Sequence, residues 1–297
     1  MTDNKLIAIT HLIGTKNLTM KSKISAIIIT YNESGNLDRT LTQLHWCDEI
    51  IVVDSFSSDD TVEICEHHGC KIYSRSFTGF GDQKRFAIGK AKNNWILCID
   101  ADEYMTDQLV NELQFALCDP GDCKGYMIPM NLVFRGQEFK YGREHHNYFL
   151  RVFHRKYCIV HNQKVHEGFE VLGKVKKLNN CIKHFSYRDI KQILQKLDIY
   201  STLGAELNID HGRKRSQLLI YIALPFYFFK YFFIDRNFLN GRNGFYWAVY
   251  SAFYHFTKYI KMQDINRERI ADNVVTDANV TFQPINFLNP TIYRGKN

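Results

Sequence analysis

Asp100 and Asp102 stand two residues apart in the stretch 95–103 (WILCIDADE), directly after a run of apolar residues. In extended backbone, residues i and i+2 point to the same side, so the two carboxylates address one place. Hard oxygen donors of this kind suit Mg2+ or Mn2+, ions that share their coordination shell with substrate phosphates and water. Acids in loops are ordinarily just solvated, and it is the position at the end of a buried strand that argues for chemistry. Two more loops are similarly placed: Thr30-Tyr31-Asn32-Glu33 closes one apolar run, and Asp54-Ser55 closes another. In open α/β sheets, ligands bind beyond the carboxyl ends of the strands, where all three loops would lie. Neither a GxGxxG nor a GxxxxGK[ST] pattern follows the first run, which argues against a dinucleotide enzyme or a P-loop NTPase.

The elements that must position these loops are legible as alternating short apolar runs and helical segments between residues 24 and 102, the pattern of a parallel sheet covered on both faces. Strands are expected at 24–30, 49–54, 71–74 and 95–99, and helices at 36–44, 61–68, 83–92 and 107–117. Asp60, three residues before Glu63, reads as a capping-box start for the second helix. After the turn-rich 119–124 the texture changes, and 126–129, 148–154, 166–171 and 181–185 read as strands of a mixed or antiparallel sheet. From Asp189 the chain turns helical, with Ile190, Ile193, Leu194, Leu197 and Tyr200 at helical spacing.

The 297 residues carry 38 Lys and Arg against 31 Asp and Glu, a formal charge of +7, with 45% hydrophobic and 14% aromatic residues. That balance excludes a disordered chain. It allows one large domain or two modest ones. A basic, aromatic-rich chain invites a nucleic-acid reading, but Lys and Arg are dispersed and no binding motif is present, so no nucleic acid is expected. Eight cysteines without a CxxC pair and without a leader in front point to a reduced, cytoplasmic setting. Cys65, His67, His68 and Cys70 lack a second ligand pair at zinc spacing, and the cysteines read as ordinary buried thiols.

As a set, 27–32 (IIITYN), 52–61 (VVDSFSSDDT), Gln83-Lys84-Arg85 and 95–103 resemble inverting family-2 glycosyltransferases of GT-A fold over residues 23–130. Lys164-Val165-His166-Glu167, His184-Phe185-Ser186-Tyr187 and 196–200 resemble the subgroup of lipopolysaccharide-core glucosyltransferases that elongate inner-core heptose. The resemblance implies an α/β, GT-A-type nucleotide-diphospho-sugar transferase fold: a mostly parallel central sheet, a smaller mixed sheet and a C-terminal helical extension. The implied division is an N-terminal extension (1–22) and a catalytic domain (23–188) with donor half (23–130) and acceptor half (131–188). A helical aromatic region (189–262) and a tail (263–297) follow.

By the same resemblance, Thr30, Tyr31, Asn32 and Glu33 hold the nucleotide and Asp54 binds the uracil or ribose of a UDP-sugar. Lys84 faces the diphosphate, although Arg is usual there and the Asn that often follows it is Arg85 here. Asp100 lies near ribose and sugar, and Asp102 ligates a divalent cation, Mg2+ or Mn2+. The implied reaction is a single displacement at the anomeric carbon. Its base is expected to be Glu167, with Glu144 and Glu103 as competitors. His166 would point away from Glu167 on a regular strand and so pack or position. Arg151 and Arg155 are candidates for acceptor phosphates, against a solvated strand face. His184 is a candidate to complete the metal shell, against a structural role.

Aromatic residues crowd the C-terminal third: between Tyr221 and Tyr259 stand nine Phe, seven Tyr and one Trp, broken by Lys230, Asp235, Arg236, Arg242 and Lys258. A spanning helix needs about 20 apolar residues without such breaks. Rings with Lys and Arg at their margins suit the lipid headgroup level instead, and Arg213-Lys214-Arg215 lies just upstream. The expectation is a cytoplasmic enzyme docked peripherally on the inner face of the cytoplasmic membrane, where it meets a lipid-linked saccharide acceptor.

Overall fold

The computed structural model describes residues 22–160, 168–187, 189–213 and 216–280, the last eleven of these by backbone only. The chain opens with β1 (Ile24–Thr30), α1 (Ser34–Thr42), β2 (Glu49–Asp54), α2 (Thr61–His67), β3 (Lys71–Ser74), α3 (Phe80–Lys90) and β4 (Trp95–Cys98). These four strands are parallel in the order β3-β2-β1-β4, with Thr30 beside Asp54 and Ala26 beside Leu97. Strands buried on both faces need apolar residues throughout, which is why β1 reads ISAIIIT. Alternate residues serve opposite faces: Ile24, Ala26 and Ile28 pack with Leu37 and Leu41 of α1, while Ile27 packs with Ala87 of α3.

β5 (Glu103–Met105), α4 (Asp107–Cys118), β6 (Cys123–Phe134), β7 (Gln137–Glu138) and β8 (Asn147–His154) follow. Then come β9 (Cys158–Val160), β10 (Phe169–Val171), β11 (Lys174–Lys177) and β12 (Ile182–Tyr187). The sheet continues from β4 through β8, β6 and β12 to β5, so the expected central and smaller mixed sheets are one continuous ten-stranded sheet. β8 runs antiparallel to both β4 and β6, β12 is parallel to β6, and β12 is antiparallel to β5, with His184 opposite Glu103. Among the described strands β9 and β10 stand apart as an antiparallel pair.

The expected capping box at α2 is not formed. Asp60 has φ −72° and ψ 12°, outside the extended geometry that aims a cap side chain, and makes no side-chain cap bond. Asp59 serves instead, accepting the Thr61 N–H at 3.1 Å.

Among the described residues three further helices follow: α5 (Ile190–Asp210), α6 (Gln217–Phe229) and α7 (Gly241–Val280). A π-helical turn (Lys230–Ile234) and a 3-10 turn (Asn237–Asn240) lie between the last two. The 3-10 turn leads directly into α7, to which Arg242, Asn243 and Gly244 belong. Pro225 lies inside α6.

The chain forms two compact units. Among the described residues, the first takes in those up to Ile193 together with Phe229–Val249; the second comprises those of Leu194–Phe228 and those from Tyr250 on. Within the second, Ala205, Ile220, Ala223, Tyr259 and Met262 form a small core, and the Tyr227 ring stacks on His255 at 3.7 Å. Among the described residues one helical stretch, Gln217–Ile234, is long and apolar enough to cross a membrane by length and composition; 11% of it is buried.

Candidate active site

The loops after β1 and β2 hold each other. Thr30 Oγ1 donates to Asp54 Oδ1 at 2.9 Å, and the other Asp54 oxygen accepts the Ser57 N–H at 2.8 Å. Asn32, at φ +55°, receives the Ser58 N–H on its Oδ1 at 2.8 Å, and its own N–H donates to Ser57 Oγ at 2.9 Å. The Glu33 N–H donates to Thr61 Oγ1 at 2.9 Å. Asp54 is therefore a buried organiser of the loop, 1% exposed. Tyr31 and Phe56 stand exposed beyond adjacent strand ends, two rings available to a planar base. Phe56 was not expected from sequence. It is lifted out by a left-handed backbone, φ +61°, that no residue pattern announces.

The loop after β4 carries the densest charge. Asp100 Oδ1 lies 3.1 Å from Lys84 Nζ, and Asp100 Oδ2 accepts from Arg151 at 3.1 Å. Arg151 also donates to Glu103 Oε1, and Glu103 Oε2 accepts the Asp100 N–H at 3.0 Å. Glu103 is wholly buried, while Lys84 and Arg151 are 6% and 8% exposed. Burial opposes ionisation of Asp100, but Lys84 and Arg151 outweigh it and hold the carboxyl far below the usual range. Glu103 is pushed up to about 7, by burial first and by the Asp100 charge, against the pull of Arg151.

Arg151 is consequently neither on a solvated face nor free for acceptor phosphates. The antiparallel pairing of β8 with β4 turns it inward onto Asp100. Arg155, the other candidate, donates to the Ala91 carbonyl at 2.6 Å. From the helix side, buried Thr40 of α1 reaches the carbonyls of Ala101 and Glu103, each at 2.9 Å from its Oγ1. In the sequence, Thr40 carries no signal beyond a hydroxyl on the buried face of an amphipathic helix.

Asp102 lies beside His184, whose Nε2 is 3.3 Å from Asp102 Oδ1, and Ser186 Oγ lies 2.9 Å from His184 Nδ1. Burial disfavours a charged His184, yet Asp102 above all, then Glu103 and Asp100, leave its pKa raised. The Phe185 N–H donates to the Asp102 carbonyl at 2.8 Å, and the Arg39 guanidinium covers the Phe185 ring at 3.4 Å. Among the described residues no group of three or more His, Cys, Asp or Glu could enclose a metal. Among the described residues the site offers one carboxylate, Asp102, and one imidazole, His184, since both Asp100 oxygens are engaged by cations. With the His184 proton released, that set fits a cation completed by substrate phosphates and water, and does not fit a closed structural site.

Glu144, a competitor for the base, accepts the Leu132 N–H on its carbonyl at 3.0 Å, and Leu132 is the β6 residue paired with His184. Burial raises the Glu144 pKa, the side chain neighbours Trp247 and Asp235, and no hydrogen bond or ion pair joins it to Asp100, Asp102 or His184 among the described residues. Glu103, the other competitor, is enclosed behind Asp100 and Arg151. His166 and Glu167 lie outside the described residues.

A mostly parallel α/β sheet that ends on acidic loops, faced by buried Lys and Arg and extended by mixed strands, is the GT-A architecture of nucleotide-diphospho-sugar transferases. Residues 25–180 match the model of glycosyl transferase family 2, and the chain belongs to that family: it is a glycosyltransferase. It is 31% identical over 260 residues to the "Uncharacterized glycosyltransferase RC0292" of Rickettsia conorii, covering 84% of this chain and 92% of that one. To the lipopolysaccharide core biosynthesis glycosyltransferase LpsC of Rhizobium meliloti it is 28% identical over 265 residues, covering 86% and 97%. Among solved structures it resembles glucosyl-3-phosphoglycerate synthase from Mycobacterium tuberculosis in complex with Mn2+, uridine-diphosphate and phosphoglyceric acid. That likeness has a TM-score of 0.44 and 16% identity, over 67% of this chain and 82% of the other.

Proposed function

We propose that this glycosyltransferase moves a hexose, glucose being the expected one, from a UDP-sugar to a lipid-linked saccharide such as inner-core heptose of lipopolysaccharide. The reaction is a single displacement with inversion, carried out at the inner face of the cytoplasmic membrane. The observation that supports the reading best is the loop Asp100–Ala101–Asp102–Glu103, clamped by Lys84, Arg151 and His184 at the strand ends where family-2 enzymes handle their donor. The likeness to LpsC along nearly its whole length supports the acceptor class.

The residues divide the work. Tyr31 and Phe56 offer stacking faces for the base, and Thr30, Asn32 and Glu33 build the loop beneath the nucleotide with Asp54. Lys84 and Arg151 keep Asp100 ionised and fixed in direction, so that it can accept from donor hydroxyls without reorganising. Asp102 and His184 would hold a divalent cation, Mg2+ or Mn2+, which when bound offsets charge on the departing diphosphate. Glu167 is the proposed base for the acceptor hydroxyl; a base in reach contributes about 10² to 10⁴ in rate.

Incubation with a panel of UDP-sugars, with and without Mn2+ or Mg2+ and with a heptose-bearing lipid acceptor, tests donor, metal and acceptor together. UDP released only with one sugar, a cation and the acceptor supports the reading. UDP release that ignores the heptose acceptor while responding to a peptide or another glycolipid would move the enzyme to a different acceptor.

A further inference from the structure

The segment from Phe229 to Val249 belongs to the catalytic unit, although its sequence is of a piece with the aromatic helices around it. Its attachment is made by two asparagines, Asn240 and Asn243, while a third, Asn237, holds the segment itself together. Asn240, 4% exposed, donates from Nδ2 to the Tyr141 carbonyl at 2.9 Å and accepts the Lys140 N–H at 3.1 Å. Gln137 Nε2 donates to the Asn240 carbonyl at 3.1 Å, and Asn243 Nδ2 reaches Gln137 Oε1 at 3.0 Å. Fully buried Asn237 donates to the Tyr231 carbonyl at 3.0 Å. Packing is close enough that a Cβ on Gly244 would lie 1.8 Å from the Asn237 carbonyl oxygen. Trp247 adds ring contacts to Phe134 at 5.5 Å and Tyr187 at 5.8 Å.

A segment fastened so firmly would be expected to bury its rings, and it does the opposite. Phe229, Phe233, Ile234, Phe238, Leu239 and Phe245 are each 45% to 62% exposed. They form one patch, with Phe233 5.1 Å from Phe229 and 6.3 Å from Phe238. Soluble surfaces rarely carry so many contiguous apolar side chains without an occupant. Charge identifies the occupant. Arg236 and Arg242 are exposed in this segment, whereas its one acid, Asp235, has Oδ2 buried. Apolar rings rimmed by outward cations complement an anionic lipid surface.

We infer that the elbow at residues 229–245 is a wedge by which the catalytic unit itself docks, at headgroup depth, on a bilayer containing anionic lipid. The inference rests on the membrane reading above and assigns it to one element. The elbow docks without spanning. The chain leaves this unit after Ile193 and rejoins it at Phe229, so a crossing by Gln217–Ile234 would require a second crossing within 194–216. There α5 carries Lys196, Asp198, Glu206 and Asp210, charges that are costly inside a membrane. Because the asparagine clasp ties the wedge to β6 and β7, docking fixes the height and tilt of the donor loops over the lipid that carries the acceptor.

The test is flotation of the full-length protein with vesicles of phosphatidylcholine alone or with phosphatidylglycerol added, at about 0.15 M salt. Three proteins are compared: wild type, Phe233→Ser/Phe238→Ser and Arg236→Glu/Arg242→Glu, with the melting temperature of each as a folding control. Wild type is expected to prefer the anionic vesicles. The Phe variant should lose about tenfold or more in partitioning to both vesicle types. The Arg variant should lose about tenfold or more on the anionic vesicles alone, at unchanged melting temperature. Wild type that floats with neither vesicle overturns the membrane reading and this inference together. Wild type that floats while both variants float equally well overturns this inference alone. A wild-type dimer in solution that the Phe variant dissolves would show that a second copy covers the patch, which also overturns it.

Discussion

Arg151→Met removes the cation that joins Asp100 to Glu103 while keeping much of the side-chain length. Arg151 lies 3.1 Å from Asp100 and bonds Glu103, and it is almost wholly buried. At an effective dielectric of about 20, a contact of that length carries a gross attraction of about 5 kcal/mol, part of which desolvation offsets. Removing one member of such a buried set leaves an unpaired charge and costs about 3–5 kcal/mol. For a unit of this size each kcal/mol moves the midpoint by about 2–4 °C, so Arg151→Met should melt about 6–20 °C below wild type. Glu103→Gln keeps the shape and loses only a charged hydrogen bond, and should cost about 1.5–3 kcal/mol. In Arg151→Met/Glu103→Leu no carboxylate is stranded at position 103, so stability should recover by about 1–3 kcal/mol over the single Arg variant. Transfer activity should not recover, because Asp100 still lacks its second cation. Differential scanning calorimetry with UDP release on the same four proteins reads both quantities. If Arg151→Met melts with wild type, or if the double variant regains activity, Arg151 does not act as the buried counter-ion that sets Asp100.

Thr40→Val removes the hydroxyl between the Ala101 and Glu103 carbonyls at nearly constant volume, and should cost about 1–3 kcal/mol in urea unfolding while Thr40→Ser stays near wild type. Glu49 accepts from Lys71, from Ser25 Oγ and from the Lys92 N–H; burial opposes its ionisation, but these partners win and its pKa is lowered. A carboxyl with a lowered folded pKa contributes stability above its unfolded value of about 4.3 and loses it as pH falls through the folded value. Wild type should therefore exceed Glu49→Gln in stability at pH 7, and the gap should close below about pH 4; a gap that is constant from pH 7 to pH 3 refutes the assignment.

The donor half could be read in the sequence because its physics is local. β1, β2 and β4 are buried on both faces and so appear as unbroken apolar runs, and Asp100 and Asp102 stand directly after one of them. What supports Asp100 could not be read. Arg151 is 51 residues away and reaches it only through the β4–β8 pairing, in which Leu97 meets Val152. β5 and β11 are three and four residues long, too short for periodicity to speak, yet β5 carries Glu103 and pairs with the strand of His184. The aromatic segment is a different case: composition places 229–249 with the helices on either side, whereas the hydrogen bonds of Asn240 and Asn243 bind it to the catalytic sheet.

In the proposed reaction Asp102, beside His184, makes donor cleavage depend on a divalent cation. The most direct test of that dependence is UDP release from UDP-glucose by wild type and Asp102→Asn across a Mn2+ titration. Loss of several kcal/mol of charge stabilisation corresponds to about 10² or more in rate. The expected result is a Mn2+-dependent rate in wild type and a rate about 10² or more lower in Asp102→Asn, with an unchanged melting temperature. Equal Mn2+-stimulated rates in the two proteins would contradict the account.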